Sequence, residues 1–221
     1  MKRIETLLFD LDGTLVDSRR DLANAVNFAL ESVDQPRQSE EEIVPHVGNG
    51  LRILLSEVMG PVPDEMLEIA TRSFSIYYDA HCVDHTVLYE NVQAVMTGIS
   101  IDRKIGVVTN KPEAFAQKII RHFGLSDMIG VIVGGDSLPE KKPHPAPVLK
   151  AVRDLGGDVQ SAMVVGDGAQ DIQAGQAAGL LTCIARYGYG FRSESLTLKP
   201  DFQINRFIEL KEIMDDHVAD Q

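Results

Sequence analysis

The chain has 221 residues, 44% of them hydrophobic and 24% charged, which suits a soluble globular protein of one or two domains with a substantial core. A formal net charge of -12 argues against nucleic acid or an anionic membrane as the main partner, because both reward a basic surface. Cys82 and Cys183 make neither a metal-ligand spacing nor a disulfide framework, so the expected compartment is a reducing cytoplasm.

The opening run starts basic and turns apolar, but Asp10 and Asp12 interrupt it and no Ala-x-Ala-like cleavage site follows, so it does not read as a signal peptide. No stretch is long enough to span a bilayer. Thr6–Phe9 reads as a buried strand. From about Ser18 to Asp84 the pattern turns helical. Leu22, Ala25, Val26, Ala29, Leu30 and Val33 recur at helical spacing, as do Leu51, Leu54, Leu55, Val58 and Met59, and then Met66, Ile69, Ala70, Phe74 and Tyr77. Pro36, Gly48-Asn49-Gly50 and Gly60-Pro61 separate these segments. Further apolar runs at 105–108, 131–133, 162–165 and 181–184 lack polar alternation, as expected of parallel strands covered on both faces. Helical patterns lie between them: Pro112 to Gly124, Pro145 to Gly156, and Ala169 to a cap at Gly179. This rhythm predicts an α/β fold, a doubly wound parallel sheet formed by residues 1–17 and 85–221, with a small all-helical domain, 18–84, inserted after the first strand. The last dozen residues, from Glu209, read as a polar amphipathic helix that frays.

Four segments carry candidate chemistry. Phe9-Asp10-Leu11-Asp12-Gly13 ends a strand in two carboxylates that point to one side, at the strand end where open α/β sheets bind ligands. Two acids this close repel unless a shared proton or a hard cation such as Mg²⁺ relieves them, although an isolated Asp-x-Asp also suits a solvated turn. Val108-Thr109-Asn110 ends a second strand in a hydroxyl and an amide, which would equally serve as a turn and helix cap before Pro112. Lys142 precedes Pro143 in a rigid loop, where surface lysines are common. Gly166-Asp167-Gly168-Ala169-Gln170-Asp171 ends a third strand in an acid and places another in the first turn of a helix, where it also complements the helix dipole. Each signal alone is weak. Together they would converge on one crevice.

The ordered set Asp10-x-Asp12-Gly13-Thr14-Leu15-Val16, Thr109-Asn110, Lys142-Pro143 and Gly166-Asp167-x-x-x-Asp171 resembles the haloacid-dehalogenase-superfamily phosphatases, specifically the phosphoglycolate-phosphatase-like branch. Val47-Gly48-Asn49-Gly50 and Tyr187-Gly188-Tyr189-Gly190 look like that branch too, and the helical insertion matches its small cap domain. Gly168 departs from the Ser that many relatives carry there. The resemblance implies a phosphatase in which Asp10 is the nucleophile and Asp12 the acid/base. Mg²⁺ would be held by Asp10, the main-chain carbonyl of Asp12, Asp167 and Asp171, while Lys142, Thr109 and Asn110 would bind the phosphoryl group. Arg19, Asn49 and Arg52, with Arg20 and His46, are candidates for substrate contacts in the cap, although surface arginines are usually only solvated charges. The implied substrate is a small phosphorylated metabolite, 2-phosphoglycolate first, for a cytoplasmic monomer or homodimer without nucleic-acid or membrane partners. A phosphosugar mutase or a pyrophosphatase would use the same machinery. A dehalogenase would need neither Asp12 nor the metal, and a non-catalytic phosphate-binding regulator would not need Asp12.

Overall fold

The computed structural model describes residues 3–216. From β1 (Thr6–Phe9) the chain passes through β2 (Val16–Asp17) into α1 (Arg19–Glu31), α2 (Glu40–Ile43), α3 (Leu51–Met59) and α4 (Asp64–His81), then through β3 (Val87–Leu88) and α5 (Val92–Ile99). Strands and helices then alternate: β4 (Lys104–Val108), α6 (Glu113–His122), β5 (Val131–Val133), α7 (Ala146–Asp154), β6 (Ala162–Gly166), α8 (Ala169–Ala178) and β7 (Leu181–Ala185). The edge strand β8 (Phe202–Ile204) and α9 (Leu210–Asp216) follow. The chain divides into two compact units, one running to Asp17 and resuming at Leu88, the other comprising Ser18–Val87.

The first unit is a six-stranded sheet in the order β5-β4-β1-β6-β7-β8, parallel throughout. The expected doubly wound α/β core is therefore present. β1 lies between β4 and β6, with Phe9 opposite both Val107 and Val165. The strand order reverses at β1, so the carboxyl ends of β1, β4 and β6 border the crevice where such sheets take ligands. Leu7, Leu8, Phe9, Val107, Val164 and Val165 are fully buried, which is why these runs lack polar alternation. Leu8 packs with Val108, Val133, Val148, Val152, Val164 and Leu180 under α7 and α8. Phe9 turns to the opposite face, its ring 5.6 Å from that of Phe207. Pro112 and Pro145 stand at the N-caps of α6 and α7, and left-handed Gly179 ends α8, as the sequence pattern requires.

The second unit is built of helices, α1 to α4, with α1 and α3 packed on α4. Leu22, Ala25, Val26, Ala29 and Leu30 of α1 are buried as their spacing predicts. On α4 the buried stripe is Leu67, Ala70, Phe74 and Tyr78, whereas Ile69 is exposed. Ala70 and Phe74 are therefore buried as expected, while Leu67 and Tyr78 complete the face in place of Met66, Ile69 and Tyr77. Met66, Ile69 and Tyr77 form an apolar stripe beside the true one, and periodicity cannot choose between adjacent stripes. The unit extends to Val87 because Asp21, buried in the first turn of α1, accepts bonds from the His85 N–H (2.9 Å) and from the Thr86 N–H and hydroxyl (both 2.8 Å).

β2, β3, β8 and α5 do not stand out in the sequence, the strands being only two or three residues long. β2 and β3 pair as a sheet of their own. The expected terminal helix is present as α9, and its remainder, 217–221, lies outside the described residues.

Close packing of α8 on the sheet rests on Gly175, where a Cβ would lie 2.3 Å from Val164 Cγ1 and 2.8 Å from Thr182 Cγ2. Both neighbours are β-branched and stiff on a rigid strand, so they cannot swing away. Gly175→Ala is expected to lower the unfolding free energy by about 1–2 kcal/mol in urea titrations, overpacking outweighing the helix-propensity gain. An unchanged or raised midpoint would show that α8 can lift from the sheet at no cost.

Candidate active site

The site is built at three adjacent strand ends of the first unit. The Asp10 N–H donates to the Val165 carbonyl (2.9 Å), carrying the β1–β6 ladder one residue past β1. The chain then turns tightly: the Leu11 carbonyl accepts from the N–H groups of Leu15 (2.9 Å) and Val16 (3.1 Å). Gly13 makes this possible with φ +84°, and a Cβ there would fall 1.9 Å from Asp167 Oδ2. The Thr109 N–H bonds the Val133 carbonyl (2.9 Å), extending the ladder past β4 in the same way.

Asp10, Asp167 and Asp171 are buried, and each offers a carboxylate oxygen within 4.8 Å of the others. Lys142, in the loop before α7, reaches into this cluster. Its buried ammonium donates to Asp10 Oδ1 (2.9 Å), Asp171 Oδ1 (2.5 Å) and the Val108 carbonyl (2.5 Å), spending all three hydrogens. Asp171 is also held from its own helix, accepting the Gly168 N–H at 3.1 Å. Asn110 brackets the lysine's backbone: its side chain donates to the Lys142 carbonyl (2.9 Å) and accepts the Lys142 N–H (3.0 Å). Its amide thus serves to place Lys142, a use distinct from the phosphate contact expected of it.

The Asp12 carboxylate leaves the triad. Both of its oxygens lie 2.6 Å from Nζ of Lys111, a residue that sequence reasoning passed over. The signal was available in its position, directly after Thr109-Asn110 at a strand end. Thr109 Oγ1 accepts the Lys111 N–H at 3.2 Å. A second omission is the use of the Tyr187–Gly190 loop. The Gly190 N–H donates to Asp167 Oδ2 (2.7 Å), and the Tyr187 hydroxyl donates to the Thr14 carbonyl (2.8 Å). A Cβ on Gly188 would sit 2.3 Å from both Asp167 Cβ and the Gly13 carbonyl, so this loop presses its backbone onto the metal-site candidate.

Gly168 has extended φ and ψ open to any residue. The side-chain amide of Gln170 occupies the space a side chain would enter, 2.2 Å from where a Cβ would lie. Arg19, Asn49 and Arg52 belong to the second unit, where Arg19 opens α1, Asn49 precedes α3 and Arg52 is exposed on α3, 3.2 Å from Asp64. His46 Nδ1 lies 3.0 Å from Glu57.

Around the strand ends, the carboxyl groups of Asp10, Asp12, Asp167 and Asp171 face the ammonium groups of Lys111 and Lys142, which would leave an excess of two negative charges with all four acids ionised. Burial, then the charge of Asp171, pushes the Asp10 carboxyl up to about 6 against the pull of Lys142. Burial followed by the charges of Asp10 and Asp171 raises Asp167 well above the carboxylate range, although the Gly190 N–H opposes this. Burial disfavours the Lys142 cation, but Asp10 and Asp171 overcome it and keep the lysine charged. Three oxygen donors under mutual repulsion, with two excess charges, suit a hard divalent cation. The donor set therefore fits Mg²⁺.

The family model described as haloacid dehalogenase-like hydrolase matches residues 7–185. A phosphoglycolate phosphatase of Aquifex aeolicus is 35% identical over 218 residues, covering 98% of this chain and 100% of that protein. One from Chromobacterium violaceum is 37% identical over 223 residues, covering 97% of this chain and 98% of its own length. Among solved structures, a predicted phosphoglycolate phosphatase from Haemophilus somnus superposes with a TM-score of 0.88 at 32% identity, covering 96% of this chain and 99% of that one.

The raised carboxyls make metal-free stability pH-dependent with a definite sign. A carboxyl whose folded pKa exceeds its unfolded value of about 4 binds more protons when folded. Its stabilising contribution is complete below pH 4 and is lost as the pH rises through about 6. In chelator, the native protein should lose stability from pH 4.5 to 7 relative to Asp10→Asn, compared by urea titration. Mg²⁺ should restore it, adding about 2.7 kcal/mol at a hundredfold excess over its dissociation constant, more at pH 7 than at pH 5. A Mg²⁺ increment independent of pH would exclude these carboxylates as its ligands.

Proposed function

This chain belongs to the haloacid dehalogenase-like hydrolases and is a phosphoric monoester hydrolase, and from that premise we propose that it hydrolyses 2-phosphoglycolate through a phospho-aspartate on Asp10. The observation that carries the reading is the pairing of buried Asp10 with Lys142 at 2.9 Å, beside Asp167 and Asp171 and two residues from Asp12.

Lys142 holds one Asp10 oxygen and leaves the other as the nucleophile. That oxygen attacks phosphorus, the bond from phosphorus to the leaving alkoxide breaks, and Asp12 passes its proton to the alkoxide. In the second half, Asp12 takes a proton from water, the water oxygen bonds to phosphorus, and the Asp10–phosphorus bond breaks to regenerate both carboxyls. Lys142 neutralises charge on the transferring group, and the Thr109 hydroxyl with backbone N–H groups after β1 and β4 orients its oxygens. Asp10, Asp167, Asp171 and the Asp12 carbonyl would hold Mg²⁺, which supplies Lewis-acid stabilisation of the phosphoryl oxygens when bound. Selection of the leaving group falls to the helical unit, with Arg19, Asn49 and Arg52 as candidates for a substrate carboxylate.

Phosphate release from 2-phosphoglycolate, β-glucose 1-phosphate, pyrophosphate and a nucleotide monophosphate, with Mg²⁺ and with chelator, tests this directly. Mg²⁺-dependent release with a strong preference for 2-phosphoglycolate is expected. Preference for another member would reassign the substrate. Asp10→Asn should lower turnover by at least ~10⁴-fold and Asp12→Ala by ~10²–10⁴-fold, each with the fold intact. Retained activity in Asp10→Asn would end the covalent mechanism.

A further inference from the structure

Lys111 is the second buried ammonium group at the strand ends, and the chemistry just described assigns it no task. Its side chain is 4% exposed and that of Asp12 12%, and Nζ sits 2.6 Å from each Asp12 oxygen. A cation placed evenly on both oxygens fixes the rotation of the carboxylate about its Cβ–Cγ bond. The lysine is itself held on both sides. Its N–H bonds Thr109 Oγ1, and its carbonyl accepts the Gly135 N–H at 2.8 Å. Gly135 in turn packs so closely that a Cβ would lie 2.2 Å from the Asn110 carbonyl. Burying such an ion pair is a poor way to stabilise a fold, because desolvation of both groups consumes the Coulombic gain. What the pair does supply is a fixed orientation of one carboxylate relative to the end of β1.

We infer that Lys111 is a positioning residue for Asp12: with one carboxyl oxygen protonated, the ammonium keeps its bond to the other and holds the acid in the orientation from which the proton passes to the leaving oxygen. The inference rests on the acid/base role proposed for Asp12. Asp10 is oriented separately by Lys142, so attack on phosphorus does not depend on Lys111. Loss of Lys111 should therefore impair the first step only where the leaving group needs a proton. An alkoxide does, whereas nitrophenolate departs without one. In both cases the Asp10–phosphorus bond forms and the ester bond breaks; the alkoxide leaves as the alcohol with the proton of Asp12, whereas nitrophenolate leaves as the anion and Asp12 keeps its proton.

The experiment compares rapid-mixing kinetics of wild type and Lys111→Met, as the full chain with Mg²⁺, on p-nitrophenyl phosphate, ethyl phosphate and 2-phosphoglycolate. The nitrophenolate burst should stay within about threefold of wild type, while phosphorylation by both alkyl esters falls ~10²-fold. Lys111→Met should cost nothing further in an Asp12→Ala background, because the two act as one unit. Lys111→Arg, whose guanidinium can also hold both oxygens, should recover most of the alkyl-ester rate. If Lys111→Met does not fold, Lys111→Gln is judged by the same ratio of aryl to alkyl rates. Equal losses on aryl and alkyl esters, or losses additive with Asp12→Ala, would overturn the inference. So would a KM increase confined to 2-phosphoglycolate, which would make Lys111 an anchor for the substrate's carboxylate. Wild type inactive on all three esters would instead defeat the phosphatase reading itself.

Discussion

Mutual repulsion among three buried carboxylates is the constraint around which the core unit is arranged. Two unit charges about 4 Å apart cost about 4 kcal/mol at an effective dielectric of 20, and Asp10, Asp167 and Asp171 present three such pairs within 4.8 Å. The fold answers with donors supplied from every neighbouring segment. Lys142 spans Asp10 and Asp171, the Gly190 N–H meets Asp167, and the Gly168 N–H meets Asp171. These donors offset only part of the cost, so burial first and the neighbouring acids second keep Asp10 and Asp167 raised. Residual negative charge held in a rigid, dry setting is the property that a divalent cation and a phosphoryl group require.

Rigidity comes from the sheet. β1, β4 and β6 are buried and register-locked, so the residues that extend their ladders, Asp10 and Thr109, inherit fixed positions. Glycine contacts then bring the remaining pieces close. Gly13 and Gly188 allow two loops to meet around Asp167, where any side chain would displace its carboxylate. Stability and function pull in opposite directions here, since the same acids that suit a cation destabilise the metal-free core.

The motif residues divide by how they are held. Asp10 and Thr109 are placed by strand ladders, and Asp171 by the first turn of α8. Lys142, in the connection after β5, depends on Asn110 at the end of the adjacent strand β4, and Asp12 depends on Lys111. The first kind can be read from a strand followed by an acid or hydroxyl. The second kind involves partners 32 and 99 residues apart, and nothing local marks Asn110 as the bracket of a lysine or Lys111 as the mate of Asp12.

By itself the amino-acid sequence determined the five core strands, the intervening helices, the helical insertion and the ordered motifs at Asp10, Thr109, Lys142 and Asp167. These follow from local apolar periodicity, strand-end acids and Pro/Gly punctuation, which act over a few residues. It placed Ala70 and Phe74 on the buried face of α4 but did not choose Leu67 over Ile69, because both are comparably apolar and only the packing partner distinguishes them. Nor did it reveal β8, the Asp21 tie to Thr86, the Lys111–Asp12 pair or the clamp of Gly190 on Asp167. Each of these is a pairing between segments distant in sequence. Such pairings exist only once the sheet order brings the strand ends together, so the tertiary structure alone decided them.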